Sequence, residues 1–332
     1  MLPTVSLIVP CYNEEKRIRT LLDALLAQTY PLEKMAVTIA DGLSQDRTRQ
    51  VIADFQREHP QLAIKVVDNN AGTIPAALNR AIEASAGELI IRLDGHSAPY
   101  SDYIERSVAA LQADVAENVG GAWEIRPGAQ GWLAESIAVA AAHPLGVGDA
   151  LYRHARQPAY VDTVPFGAFR RALLEKVGKF DESLLSNEDY EFNTRIRQSG
   201  GRVWLNPQIR SLYFARSTLR DLARQYWRYG LWKWQMLRRY PATLRWRQAL
   251  PPLFVLAVLI SFGLSWFWPV FGWLLVALLA VYFGVLLAAG AQKAFREKKA
   301  FLVFGLPMSI PVMHFSWGLG FLWSILFGVK RP

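Results

Sequence analysis

Through Leu93 the hydrophobic positions alternate between two spacings. Short apolar runs at 5–9, 36–40, 63–67 and 89–93 predict strands. The intervening segments place apolar residues three and four apart: Ile18, Leu21, Leu22, Leu25 and Leu26 within 18–28, Val51, Ile52 and Phe55 within 47–58, and a further set within 74–84. That spacing predicts helices with one buried face. Strand and helix in steady alternation predict an α/β fold, a mostly parallel central sheet with helices on both faces.

In such sheets ligands bind beyond the carboxyl ends of the strands. The residues there are Pro10-Cys11-Tyr12-Asn13-Glu14, Asp41-Gly42-Leu43-Ser44-Gln45-Asp46 and Asp94-Gly95-His96. Taken singly, Asp-Gly is ordinary turn chemistry. Three acidic strand ends in register read instead as one site. Asp41 is suited to accept the N–H of a base such as uracil, and Glu14 to accept ribose hydroxyls. Asp94 and His96, two apart, are suited to hold one divalent cation, Mn2+ or Mg2+, with phosphate oxygens and water as its other ligands. Neither G-x-G-x-x-G nor G-x-x-x-x-G-K-[ST] occurs, which argues against a dinucleotide oxidoreductase or a P-loop enzyme.

After Arg247 the pattern changes. No formally charged residue occurs between it and Lys293, a run of 45 residues. One helix of that length would reach about 68 Å, roughly twice a hydrocarbon core. Two crossings near 251–267 and 270–289 fit better, reversing at Trp266-Phe267-Trp268-Pro269, where proline ends a helix and tryptophan suits an interface. A third apolar stretch, 300–329, contains Pro307, Pro311 and His314. It reads as a kinked span or a re-entrant pair of short helices, with His314 bonding between helices. Arg245 and Arg247 precede the first span, and Lys293, Arg296, Lys298 and Lys299 follow the second, so both flanks are expected to be cytoplasmic. Lys330 and Arg331 would fall outside if the third stretch crosses. Upstream, Arg216, Arg220, Arg224 and Arg228 recur every four residues among Tyr226, Trp227, Tyr229, Trp232, Trp234 and Leu237. A basic aromatic helix of this kind is expected to lie on anionic membrane lipids.

Charge follows the same division. Residues 1–215 carry 22 Lys/Arg and 26 Asp/Glu, 216–247 nine bases and one acid, and 248–332 six bases and one acid. The formal net charge of +9 therefore arises wholly in the last third. That distribution argues against a uniformly basic nucleic-acid-binding surface, and no nucleic-acid partner is expected. The single cysteine, Cys11, permits no disulfide within the chain and suits a cytosolic setting; it reads as packing. Residues 1–10 lack a basic start, and the polar Asn13-Glu14-Glu15 breaks the apolar run before it is long enough, so no secretory leader is expected there. Three domains are expected: 1–215 cytoplasmic, 216–247 interfacial and 248–332 in the membrane.

The set Pro10-x-Tyr12-Asn13-Glu14, Asp41-Gly42-x-Ser44-x-Asp46-x-Thr48, Asp94-Gly95-His96 and Asn187-Glu188-Asp189 resembles the family 2 glycosyltransferases, which have the Rossmann-like GT-A fold. The resemblance covers roughly residues 4–235. Leu93-Asp94-Gly95-His96-Ser97, Val164-Pro165-Phe166-Gly167-Ala168-Phe169-Arg170 and Arg224-Gln225-Tyr226-Trp227-Arg228-Tyr229-Gly230 are most similar to the succinoglycan-biosynthesis ExoA-type branch. The resemblance implies a UDP-sugar donor, with Pro10, Tyr12, Glu14, Asp41 and Asp94 on the nucleotide. It places Asp94 and His96 on the metal-binding D-x-D motif, with His96 in place of the second aspartate. Asp189 falls on the catalytic base, with Glu188 beside it. Gln225 and Arg228 fall on the Q-x-x-R-W motif, at the acceptor or diphosphate, with Tyr229 where tryptophan would stand. The implied activity is inverting, metal-dependent hexosyl transfer at the inner membrane, to a polyprenyl-diphosphate-linked saccharide of an exopolysaccharide or cell-surface glycan.

The chemistry of such a transfer asks for these groups. The transition state is oxocarbenium-like, with charge growing on the departing diphosphate. A cation offsets that charge, and a carboxylate on the opposite face takes the acceptor proton. Ser186 or Asn187 is expected to cap a helix over 190–198 and so direct Asp189. Trp123 and Trp132 are candidates for stacking on an acceptor sugar. Three alternatives stay open: a polyprenyl-phosphate sugar synthase, a sugar nucleotidyltransferase and a non-catalytic membrane scaffold.

Overall fold

The computed structural model describes residues 1–148 and 150–329. Lys330 and Arg331 lie outside the described residues, as does the Arg247 side chain. The chain divides into two units, Met1–Glu124 with His154–Tyr213 and Ile125–Arg153 with Phe214–Pro332.

In the first unit the expected alternation forms: β1 (Val5–Cys11), α1 (Ile18–Leu26), β2 (Met35–Asp41), α2 (Thr48–Glu58), β3 (Ala63–Asp68), α3 (Ile74–Glu83) and β4 (Leu89–Arg92). There follow β5 (Ala98–Pro99), α4 (Tyr103–Gln112) and β6 (Asn118–Arg126). After α5 (Trp132–Ala142) and α6 (Pro144–Val147), which belong to the second unit, come β7 (Ala159–Tyr160), β8 (Ala168–Arg170), α7 (Leu173–Val177), α8 (Glu188–Gln198) and β9 (Val203–Phe214). The sheet order is β3-β2-β1-β4-β8-β6-β9-β5, with β7 on β9. The four strands β1 to β4 are parallel. Beyond β4 the pairings of β8, β6, β5 and β7 are antiparallel.

Every residue of β1 and β4 is buried, as helices on both faces of a parallel sheet require. Leu7, Val9, Val37, Ile39 and Ile91 form one core with Leu21, Leu22 and Leu25 of α1 and Ile52 and Phe55 of α2. The chain runs outward from β1 through β2 to β3, then returns to β4 on the other side of β1. The carboxyl edge between β1 and β4 is thus the topological switch point, where a crevice opens.

The second unit holds α9 (Leu219–Arg239), α10 (Trp246–Ser265), α11 (Pro269–Glu297) and α12 (Leu302–Phe327). The last three are long and apolar enough to cross a membrane. The third apolar stretch is one continuous helix through Pro307 and Pro311 rather than a re-entrant pair. At 26 residues it is about 39 Å long. His314 meets Tyr282 of α11, with Nδ1 and Oη 3.0 Å apart, a bond between helices as expected.

Two expectations need correction here. First, α9 keeps Arg220, Arg224 and Arg228 exposed, but its aromatic face packs along α12 instead of lying free for headgroups. Tyr226, Trp232 and Met236 are buried, Trp227 meets Trp323 at 6.0 Å and Trp234 meets Phe321 at 5.6 Å. Gln235 Nε2 donates to Ser324 Oγ at 3.1 Å. The approach is close because both sides supply glycine: a Cβ at Gly230 would fall 2.1 Å from the Trp317 carbonyl oxygen, and one at Gly320 would fall 2.4 Å from that of Trp227. Second, the break at 215 does not isolate the globular part. Segment 125–153 belongs with the C-terminal helices: α5 packs on α12, and Lys299 Nζ donates to Glu135 Oε2 at 2.7 Å.

Candidate active site

The loops after β1 and β2 are laced together by the polar positions of the two N-terminal motifs. The Asn13 and Glu14 amides donate to Ser44 Oγ and Thr48 Oγ1, both at 2.8 Å. The Glu15 amide donates to Asp46 Oδ2 at 3.1 Å, and the Gln45 amide to Asn13 Oδ1 at 2.9 Å. Ser44, Asp46 and Thr48 recur at every second position because each braces the neighbouring loop. The lacing holds Asn13 and Leu43 in the left-handed region, with φ of 52° and 61°. Asparagine tolerates that conformation, whereas leucine adopts it at a cost.

Asp41 ends β2 and is fully buried. Its Oδ2 accepts from the Ser44 amide at 3.0 Å and from Arg49 Nε at 2.6 Å, and its Oδ1 accepts from the Ser44 hydroxyl. Arg49 reaches on to Asp68 at the end of β3. Both Asp41 oxygens thus brace the loop, and the side chain has no exposed surface. Pro10 lies buried in β1, while Tyr12 stands 53% exposed beyond it. Gly42 packs under the Tyr12 ring, where an added Cβ would sit 3.3 Å from Cδ2.

Across the switch point, Glu14 and His96 meet, with Oε1 and Nδ1 2.8 Å apart. Beside them lies a residue that the sequence did not single out. Arg92, the last residue of β4, has a side chain only 4% exposed. Its Nη2 donates to Asp94 Oδ1 at 3.0 Å and to Glu188 Oε1 at 2.9 Å, its Nε lies 3.3 Å from Asp94 Oδ1, and its Nη1 donates to Asp189 Oδ1. One guanidinium thus engages one oxygen of each of three carboxylates. The second oxygens, Asp94 Oδ2, Glu188 Oε2 and Asp189 Oδ2, have no hydrogen-bond partner among the described residues.

Glu188 and Asp189 are the first two residues of α8, which starts two residues before the expected position. Asn187 stands in the left-handed region at φ 67° and makes no side-chain cap, so the backbone turn and Arg92 direct these carboxylates instead. Burial pushes the Asp189 carboxyl up to about 7, with Arg92 opposing and the nearby Glu188 and Asp94 adding to the rise. The side chain still keeps 26% of its surface exposed. Burial works against the charge on Arg92, yet Asp189, Asp94 and Glu188 raise its pKa well above the usual guanidinium value. Burial, then Asp41, Glu14 and Asp46, pushes the pKa of the buried Cys11 thiol up, which disfavours the thiolate.

No group of three or more His, Cys, Asp or Glu side chains suited to a metal occurs among the described residues. A cation at Asp94 would therefore take most of its ligands from diphosphate and water. Carboxylate with imidazole, one Asp94 oxygen unclaimed, fits Mn2+ or Mg2+ in that role. Gln225 and Arg228 lie on α9 in the second unit, where Gln225 Nε2 donates to Tyr229 Oη at 2.9 Å and Arg228 is exposed. Of the two candidate tryptophans, Trp123 has one face covered by Tyr213, stacked at 4.3 Å, which leaves less of it for a sugar. Trp132, 48% exposed, begins α5 in the second unit.

Comparison with known proteins narrows the choice. Residues 6–178 match the family model for glycosyl transferase family 2. The succinoglycan biosynthesis protein ExoA of Rhizobium meliloti is 31% identical over 332 aligned residues, covering 99% of this chain and 97% of that protein. A dolichyl N-acetyl-α-D-glucosaminyl phosphate 3-β-D-2,3-diacetamido-2,3-dideoxy-β-D-glucuronosyltransferase of Methanococcus voltae is 29% identical over 266 residues, 78% of this chain and 82% of that protein. Among solved structures, the mannosyltransferase PcManGT from Pyrobaculum calidifontis, in complex with GDP-Man and Mn2+, superposes with a TM-score of 0.64 at 20% identity. That match covers 99% of this chain and 89% of the other, and establishes the GT-A fold. Since the family model spans more than half the chain and an aligned relative spans nearly all of it, the chain belongs to glycosyl transferase family 2.

Proposed function

We propose that this glycosyltransferase moves a sugar from a UDP-sugar to a polyprenyl-diphosphate-linked saccharide, inverting the anomeric centre, at the cytoplasmic face of a bacterial inner membrane. The observation that carries the reading is the set of three carboxylates on Arg92 next to the Glu14–His96 pair, at the switch point of the sheet. The name of the Methanococcus relative specifies a dolichyl-linked sugar acceptor, and that of the Rhizobium relative an exopolysaccharide, which supports a lipid-linked acceptor in glycan assembly. Membrane association is supported by α10, α11 and α12. Trp266, Phe267, Trp268 and Trp273 are all more than half exposed around the α10–α11 reversal, as an aromatic belt would be. The bases at Arg245, Lys293, Arg296, Lys298 and Lys299 favour the cytoplasmic side for the opposite ends.

In this reading Pro10, Tyr12 and Glu14 line the nucleotide, and Asp41 braces the loop that presents them. Asp94 and His96 would hold Mn2+ or Mg2+, which when bound offsets the charge of the departing diphosphate. Asp189 takes the proton of the acceptor hydroxyl through Oδ2, the oxygen that Arg92 leaves open. Glu188 shares the charge of that corner. Attack from the face opposite the diphosphate inverts the sugar, and no covalent nucleophile is needed. Gln225 and Arg228 are assigned to the acceptor or diphosphate.

The test is UDP release from a panel of UDP-sugars by the purified chain, with bacterial lipid extract as acceptor. One donor is expected to support release, and Asp94→Ala or chelation by EDTA to abolish it. Full activity in EDTA overturns the metal assignment. Release from no donor by a folded wild-type protein overturns the transfer reading.

A further inference from the structure

We propose that Arg92 is a positioning residue for the transfer step, holding the donor-side Asp94 and the base Asp189 in one frame. The inference rests on the transfer reading above and concerns the same site. Its ground is the sharing of one fork. Nε and Nη2 meet Asp94 Oδ1, Nη2 also meets Glu188 Oε1, and Nη1 meets Asp189 Oδ1. The three acids come from two places far apart in the chain: the loop directly after β4, and the start of α8, whose Glu188 and Asp189 lie 96 and 97 residues beyond Arg92. This guanidinium bonds to all three.

Stability gives a poor account of the arrangement. A buried cation among three carboxylates adds little net stability compared with apolar packing of the same volume, because all four groups lose hydration. Geometry accounts for it better. Guanidinium is planar, permanently charged and presents five donors at fixed angles, so it fixes direction as well as charge. Each carboxylate surrenders one oxygen and keeps the other. In the transfer reading those second oxygens face opposite tasks, one toward the diphosphate side and one toward the acceptor hydroxyl. Their separation must match the span of the reacting centre. A single rigid fork at the end of a buried central strand sets that separation without a loop in between. Lysine could match the charge, but its single nitrogen cannot hold both directions.

The experiment is a double-mutant cycle on the full-length chain in detergent or vesicles, with kcat, donor KM and UDP binding measured on each variant. Arg92→Lys is expected to lower kcat on the order of 10²-fold, the size of an ångström-scale misplacement. It is expected to change donor KM and UDP affinity far less. In an Asp189→Asn background the same substitution is expected to cost little more, because the base it positions is already gone. Three results overturn the proposal: near-normal kcat in Arg92→Lys, a loss confined to donor affinity, or a full additional loss in the Asp189→Asn background. A drop in thermal stability with unchanged kcat per folded molecule overturns it as well. If the lysine variant does not fold, Arg92→Gln is run in a Glu188→Gln background, which removes one charge of each sign, and the same criteria apply. Failure of the two readings is distinguishable. A wild-type protein that binds and turns over no nucleotide sugar removes both, whereas an active wild type with an additive cycle removes only the role of Arg92.

Discussion

In the proposed transfer Asp189 is the base, and burial and two neighbouring acids raise its carboxyl to about 7. A base is useful only when ionised, so kcat at saturating donor is expected to rise with pH through an apparent value near 7. Below that value it should fall by about tenfold per unit. The apparent value belongs to the cluster of Asp189, Glu188 and Asp94 as a whole. Asp189→Asn should lower kcat by roughly 10²–10⁴-fold, flatten the acid limb and leave UDP binding intact. The stability effect has the opposite sense. A carboxyl whose folded pKa is raised favours the folded state while protonated, and that contribution is lost as pH rises from the unfolded range through about 7. Asp189→Asn should therefore melt higher than the parent at pH 8, with the gap closing toward pH 4. Thermal unfolding at the two pH values checks this, and a gap that widens toward acid would remove the burial argument.

Thr48 joins elements: its hydroxyl accepts from the Glu14 amide and donates to Asp46 at the start of α2, and the side chain is fully buried. Thr48→Val keeps the shape and removes both bonds, leaving a part-buried amide without this partner, at a cost of about 1 kcal/mol. The loop carrying Tyr12 and Glu14 should loosen with it, so both the melting temperature and UDP affinity are expected to fall. A variant that loses stability with unchanged UDP affinity would separate the loop from the nucleotide. The run from β1 to β4 was legible in the sequence because each element carries its own periodicity. The strands β5, β7 and β8, of two or three residues, carry none; long-range pairing alone makes them strands. Helix α5, eleven residues of which five are alanine, shows no clear apolar face, and such a run looks alike in a soluble core and against a membrane helix. The acids at strand ends announced a site. Arg92 did not, because an arginine closing an apolar strand resembles any charged strand end, and two of its partners lie nearly a hundred positions away.

For the molecule as a whole, three helices fit to cross a bilayer imply that neither salt nor alkali releases it. The chain is expected to stay with membranes through high-salt and alkaline carbonate washes and to leave only with detergent. Release by carbonate would mean that α10, α11 and α12 do not span. The exposed arginines of α9 would then be its chief attachment, and release would follow ionic strength.

Cys11, sealed at the end of β1 with its thiol held protonated, has a practical consequence. The natural chain serves as its own blank for thiol chemistry. A single added cysteine can then report which side of a membrane it occupies, without stripping the protein first. Phe267→Cys, at the reversal between α10 and α11, should react in intact cells with a maleimide that cannot cross the bilayer. Lys298→Cys should react only once the cells are opened, and the reverse pattern would turn the whole chain over.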